Sequence, residues 1–148
     1  MTQLTDTYTD ASKSFRAVLT VILRRHGLHL GQNLVLTTLM ERDGQTPGEV
    51  AAGLNVTTPT IVKMATRMAS AGLLVRRRDL ADNRLVRLFL TDSGRDLSDP
   101  LNGDLEDIEA RLTAGLSENE RATLLALMDR VTANARALLA EWNEPIDH

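Results

Sequence analysis

Apolar residues recur along most of this chain at spacings of three and four, the period of a helix with one buried stripe. Tyr8, Ala11, Phe15, Val18 and Ile22 step by 3, 4, 3 and 4, and Leu19 and Leu23 widen the stripe. They predict a first helix from about Asp6 to His26, ended by Gly27. A second helix follows Gly31, carries Leu34, Val35, Thr38 and Leu39, and stops by Asp43-Gly44. Thr46-Pro47-Gly48-Glu49 has a capping threonine, a first-turn proline and a carboxylate at the capping-box position. It opens a short helix to about Gly53. After the turn Leu54-Asn55-Val56, Thr57-Thr58-Pro59 starts another helix that runs to Ala71, where Gly72 ends it. A short helix, a brief turn and a longer helix form a helix-turn-helix.

The period changes after Leu73. Residues 73–78 and 84–90 are extended runs, and Val86, Leu88 and Leu90 alternate with Arg87 and Phe89 as in a strand with one buried face. A hairpin placed directly after a helix-turn-helix is a wing. Helical spacing returns in Leu97, Leu101, Leu105, Ile108 and Leu112, where Pro100 predicts a kink or break. A capping box at Ser117–Glu120 opens a last helix to about Trp142. Its Leu124, Met128, Val131, Ala135, Leu138 and Trp142 form a heptad-like seam. The expected fold is mainly α: a winged helix-turn-helix with a two-stranded wing at residues 31–95. Long terminal helices at 1–30 and 96–148 form a dimerisation region, all within one domain. Tyr8, Phe15, Leu124, Met128, Val131, Leu138 and Trp142 are expected at the dimer interface, because they offer more apolar surface than one small lobe can cover.

At 148 residues, 43% apolar and 25% charged, the chain fits a single globular core. The absence of cysteine excludes disulfides, thiolate metal sites and thiol redox sensing. The N-terminus is acidic and polar, unlike a secretory signal, and the apolar stretch Ala17–Leu23 is too short to span a bilayer. A cytoplasmic location without membrane contact is expected. The three histidines are His26, His29 and His148, and neither a nucleophile elbow nor a phosphate-binding loop is present. Neither an enzyme nor a cofactor is expected.

Net charge is −3, but its distribution is uneven. Lys63, Arg67, Arg76, Arg77, Arg78, Arg84 and Arg87 against Asp79 and Asp82 give +5 between Thr57 and Leu90, leaving −8 elsewhere. Such a basic island on an acidic protein attracts an anionic backbone locally, although a charge run can also be a solvated face. On a helical wheel Lys63 and Arg67 fall within about 60° of Thr60, beside an apolar arc of Ile61, Met64, Ala65 and Met68. That is what a helix entering the major groove requires. Thr57 and Thr58 serve as caps, phosphate contacts or both. Arg84 at the wing turn suits a narrow minor groove, or pairs with Asp82 on the surface, and both readings can hold together. Thr57, Thr58, Thr60, Lys63, Arg67, Arg77, Asp82, Arg84 and Arg87 are the expected DNA-binding set.

The stretch from about Leu30 to Leu97 resembles the MarR family of bacterial transcriptional regulators. The resemblance is carried by Gly53-Leu54, Thr60-Ile61-Val62-Lys63, Arg67, Gly72-Leu73-Leu74-Val75-Arg76-Arg77, Asp79, Asp82-x-Arg84 and Leu88-x-Leu90-Thr91-x-x-Gly94. Pro59, Ala69 and Leu80 depart from residues common in the family: serine, glutamate and proline. The resemblance implies a homodimer on a pseudo-palindromic operator in double-stranded DNA. It places Thr57, Thr58, Thr60, Lys63 and Arg67 near the major groove and Arg84 in the minor groove. It also implies a cleft between the dimer helices and the DNA lobe that accepts aromatic acids and releases the DNA, as in a repressor. Arg25, His26 and His29 are the candidate ligand-binding residues, with helix-end charges in water as the other reading. Two rivals share the fold: a protein-binding winged helix, and a zinc sensor using His26 and His29 with Glu41 or Asp43. The latter is an incomplete ligand set for zinc, so no metal is expected.

Overall fold

A computed structural model describes residues 2–143, and His148 lies outside them. Six helices and one hairpin follow in the order α1 (Gln3–Arg25), α2 (Gln32–Glu41), α3 (Pro47–Leu54), α4 (Thr58–Ser70), β1 (Leu74–Arg78), β2 (Val86–Leu90), α5 (Asp92–Leu112) and α6 (Glu118–Trp142). Thr46 accepts from the Glu49 amide while Glu49 reaches back to Thr46, and Ser117 and Glu120 repeat this box at α6. Each box satisfies two amides that a helix start leaves without partners. α1 begins at Gln3, three residues before the expected start, because the Thr2 hydroxyl caps it.

The core lies in the central lobe. Leu23 at the end of α1 and Leu28 in the loop after it meet Val35, Leu36 and Leu39 of α2, Val50 of α3, Ile61, Ala65 and Met68 of α4, Leu74 and Leu88 of the hairpin, and Leu101 of α5. β1 and β2 are antiparallel, with Leu74 opposite Leu90, Arg76 opposite Leu88 and Arg77 opposite Arg87. The period of two therefore puts Leu74, Leu88 and Leu90 on the core face, and Val75, Phe89, Arg77 and Arg87 on the other. The loop between α2 and α3 adds a single antiparallel bridge to β2 that sequence periodicity does not reveal: Leu88 N–H donates to the Gln45 carbonyl (2.8 Å) and Gly44 N–H to that of Leu88 (2.9 Å).

α5 is continuous through Pro100, so the break expected there does not occur. Proline removes one amide, that to the Asp96 carbonyl, but Leu101 beside it is buried in the core and holds the helix on its path. The start of α5 is fixed against the hairpin. The Thr91 hydroxyl donates to the Gly72 carbonyl (2.6 Å) and accepts from the Gly94 amide, while Thr91 N–H donates to the Leu73 carbonyl. Gly94 is required here, since a Cβ at this position would stand 2.1 Å from the Leu73 carbonyl oxygen. At the other end of the lobe, His26 Nε2 lies 2.7 Å from an Asp104 carboxylate oxygen, joining the end of α1 to α5.

The terminal helices project from this lobe. α6 has no buried residue, and the first two-thirds of α1 is mostly exposed. No helix among the described residues is long and apolar enough to cross a membrane.

Candidate nucleic-acid interface

Asn55, at φ 55°, makes the left-handed turn that sets α4 across α3. Thr57 is the N-cap of α4, yet its hydroxyl does not cap an amide as expected; it lies 2.8 Å from the Thr60 hydroxyl. Thr58 is exposed in the first turn. Ile61, Ala65 and Met68 enter the core, which turns Lys63 and Arg67 outward, and neither is ion-paired among the described residues. Val62, which precedes Lys63, is 45% exposed. The Thr66 hydroxyl donates to the Val62 carbonyl and accepts from Arg76 Nη1 (3.2 Å), linking α4 to β1.

The wing turn is organised by two aspartates. One oxygen of Asp79 accepts the amides of Ala81 (2.7 Å) and Asp82 (2.9 Å), and the other accepts from Arg87 Nε. The Arg87 hydrogen bond, then the two amides, hold the Asp79 carboxyl below its ordinary range. Asp82 in turn accepts the amide, Nε and Nη2 of Arg84, which lower its pKa and raise that of Arg84. The Arg84 side chain is 90% exposed at the tip. Arg77 is also exposed and lies over the Phe89 ring, 5.5 Å from its centroid.

Arg87 differs from the rest of the expected DNA-binding set. Its Nε binds Asp79, its Nη1 donates to the Gly44 carbonyl (3.0 Å), and Glu49 lies 3.8 Å away. It clamps the wing to the α2–α3 loop instead of standing free on the reading face. Strand alternation predicts that it leaves the core, but not that three partners from other segments receive it.

The expected ligand residues lie at the end of α1 and in the loop that follows it. His26 is occupied by Asp104, while Arg25 and His29 are exposed. A cavity of about 460 Å³ lies elsewhere, between α1, α2, α3 and α4. Leu19, Leu34, Val56, Ile61 and Met64 line it, with Arg16 as its charged residue, and none of Arg25, His26 or His29 reaches it. The signal in the sequence is a cation one turn from Leu19 on an otherwise apolar stretch of helix. Among the described residues no three histidine or carboxylate groups gather as a metal site, and Asp43 is taken by Arg95 and the Leu90 amide.

A reading helix, its supporting helix and a charged wing define a winged helix-turn-helix protein. The family model of the transcriptional regulators SarA/Rot matches residues 17–101. The HTH-type transcriptional regulator TtmR of Methylorubrum extorquens is 32% identical over 115 residues, which are 78% of this chain and 58% of TtmR; the chain thus spans under two-thirds of that relative. Among solved structures, a mutant of MarR from E. coli complexed with operator DNA superposes with a TM-score of 0.78 at 25% identity, covering 86% of this chain and 92% of that one. MepR of S. aureus, in a DNA complex, gives 0.81 at 21% identity, covering 91% and 99%. The chain belongs to the SarA/Rot family of transcriptional regulators, and its fold is that of MarR regulators.

Proposed function

We propose that the protein is a cytoplasmic repressor that binds a pseudo-palindromic operator as a homodimer, residues 31–95 forming the DNA lobe and 1–30 with 96–148 the dimerisation region. The observation that carries this reading is the joint exposure of Lys63 and Arg67 on α4 and Arg84 on the wing, on one chain whose remaining charge is negative. Thr57, Thr58 and Thr60 sit at the helix start, where amides favour phosphate. Arg77 extends the cationic surface toward the wing, and Asp82 aims Arg84. Homodimerisation is supported by the exposed seams. Tyr8 is 65%, Met128 56% and Trp142 61% accessible, and Phe15, Leu124, Val131 and Leu138 are exposed with them. Apolar stripes this long on two helices exceed what a monomer leaves to water.

Release by a small anionic aromatic compound is supported by the cavity holding Arg16, an apolar slot with one cation. PcaV of Streptomyces coelicolor, a structural neighbour at 22% identity, was crystallised with its natural ligand. The test is selection from random duplexes on the purified protein. A two-fold symmetric motif with half-sites one helical turn apart is expected, and enrichment of no sequence overturns the reading.

A further inference from the structure

Resting on that DNA-binding reading, we infer that Val62, with Pro59 beside it, is a specificity-determining contact that reads the C5-methyl group of a thymine in each half-site. Pro59 and Val62 are three residues apart on α4, so they are neighbours on its surface about 60° apart, with Lys63 on the same outward side. Both are exposed. An exposed β-branched residue in the first turns of a reading helix contributes nothing to the core, which Ile61, Ala65 and Met68 fill from that helix.

Several of the hydroxyl groups around it bond within the protein, whereas that of Thr58, one turn before Val62, is exposed. Thr57 and Thr60 bond to each other. Thr66 donates to the Val62 carbonyl and accepts from Arg76, and Ser70 donates to the Thr66 carbonyl. The donors of this face are therefore its cations and the Thr58 hydroxyl, and its apolar chemistry is the methyl groups of Val62 and the ring of Pro59. Cations select guanine edges or phosphates, whereas an apolar step selects the one base edge in the major groove that carries a methyl group. Thr66 is moreover held by Arg76 of β1, so the backbone carrying Val62 is anchored to the wing.

The experiment replaces each thymine of the selected operator in turn with deoxyuridine, which removes the methyl and leaves every hydrogen-bonding atom. At one thymine or more per half-site, the wild-type protein should bind about fourfold more weakly, the loss expected for one methyl-sized apolar contact. Val62→Thr keeps the shape and exchanges a methyl for a hydroxyl, and Val62→Ala trims the side chain to a single methyl. In both variants, the deoxyuridine penalty at that position should shrink, because each keeps only one methyl group, while circular dichroism and thermal unfolding stay at wild-type values. A selected operator indifferent to deoxyuridine, or a penalty equally large in both variants, overturns the methyl contact and leaves the DNA-binding reading standing. Failure to select any operator overturns both.

Discussion

The carboxylate of Asp82 accepts three N–H groups from Arg84, the backbone amide, Nε and Nη2, each at 3.0 Å. An exposed arginine on a loop samples many rotamers, but this one is held in a bidentate fork while its side chain remains in water. Arg84→Ala should weaken operator binding at all sequences and reduce the salt slope by about 1. Asp82→Asn should weaken binding less, with the slope unchanged, because the charge persists and only its aim is lost. Arg67→Ala, by contrast, should cost about 1–3 kcal/mol and relax preference at one position per half-site. Fluorescence anisotropy across a salt series separates the three outcomes.

Asp79 is ionised in the wing and its pKa is depressed, first by Arg87 and then by the Asp82 and Ala81 amides. A depressed carboxyl contributes stability above its ordinary value of 3.8 and loses it as pH falls through the folded value. The wing turn should therefore be unchanged from neutral pH down to about 4 and open only in stronger acid. Proton NMR of the Ala81 amide should show its transition below 3.8 in the wild type. In Arg87→Ala that transition should move upward, since the largest cause of the depression is gone. An unmoved midpoint would contradict the clamp.

Gly94→Ala tests the joint between hairpin and α5. The new Cβ meets backbone, the Leu73 carbonyl, which cannot rotate aside as a side chain does. A loss of about 3 kcal/mol is expected in urea unfolding, with the far-ultraviolet spectrum retained. Gly103 lies on the same helix with open space around it, so Gly103→Ala should be neutral or stabilising by up to about 1 kcal/mol.

Leu138→Asp and Trp142→Asp place a charge in the exposed seam of α6. Each should shift the sedimentation coefficient toward a monomer and weaken operator binding in parallel, without lowering the stability of the lobe. A wild type that sediments as a monomer at micromolar concentration would remove the basis for the dimer.

The fold was legible where chemistry is local. Thr46 with Glu49 and Ser117 with Glu120 announce helix starts three residues apart, and Val86, Leu88 and Leu90 mark a strand by alternation alone. What escaped was decided across the chain. Pro100 reads as a breaker until Leu101 is seen buried, and His26 reads as a free helix end until Asp104 is brought to it from 78 residues away. Arg87 is one more cation in a basic run; only the closure of Gly44, Glu49 and Asp79 around it converts it to a clamp. The exposure of Lys63, Arg67 and Arg84 follows from the apolar positions beside them, whereas the position of the cavity follows from how four helices meet.

An unbroken α5 also has a mechanical meaning. Its 21 residues make a rod about 32 Å long, fastened to the hairpin at Thr91 and Gly94 and continuing toward α6. Because the helix runs unbroken through Pro100, an angular change at the far end is carried along its length toward the hairpin. A tilt of about 5° displaces the near end by about 3 Å, close to the rise of one base pair. In the proposed homodimer the two rods would behave as the legs of a caliper, and a few degrees between them would be enough to put the reading helices out of step with a fixed groove spacing.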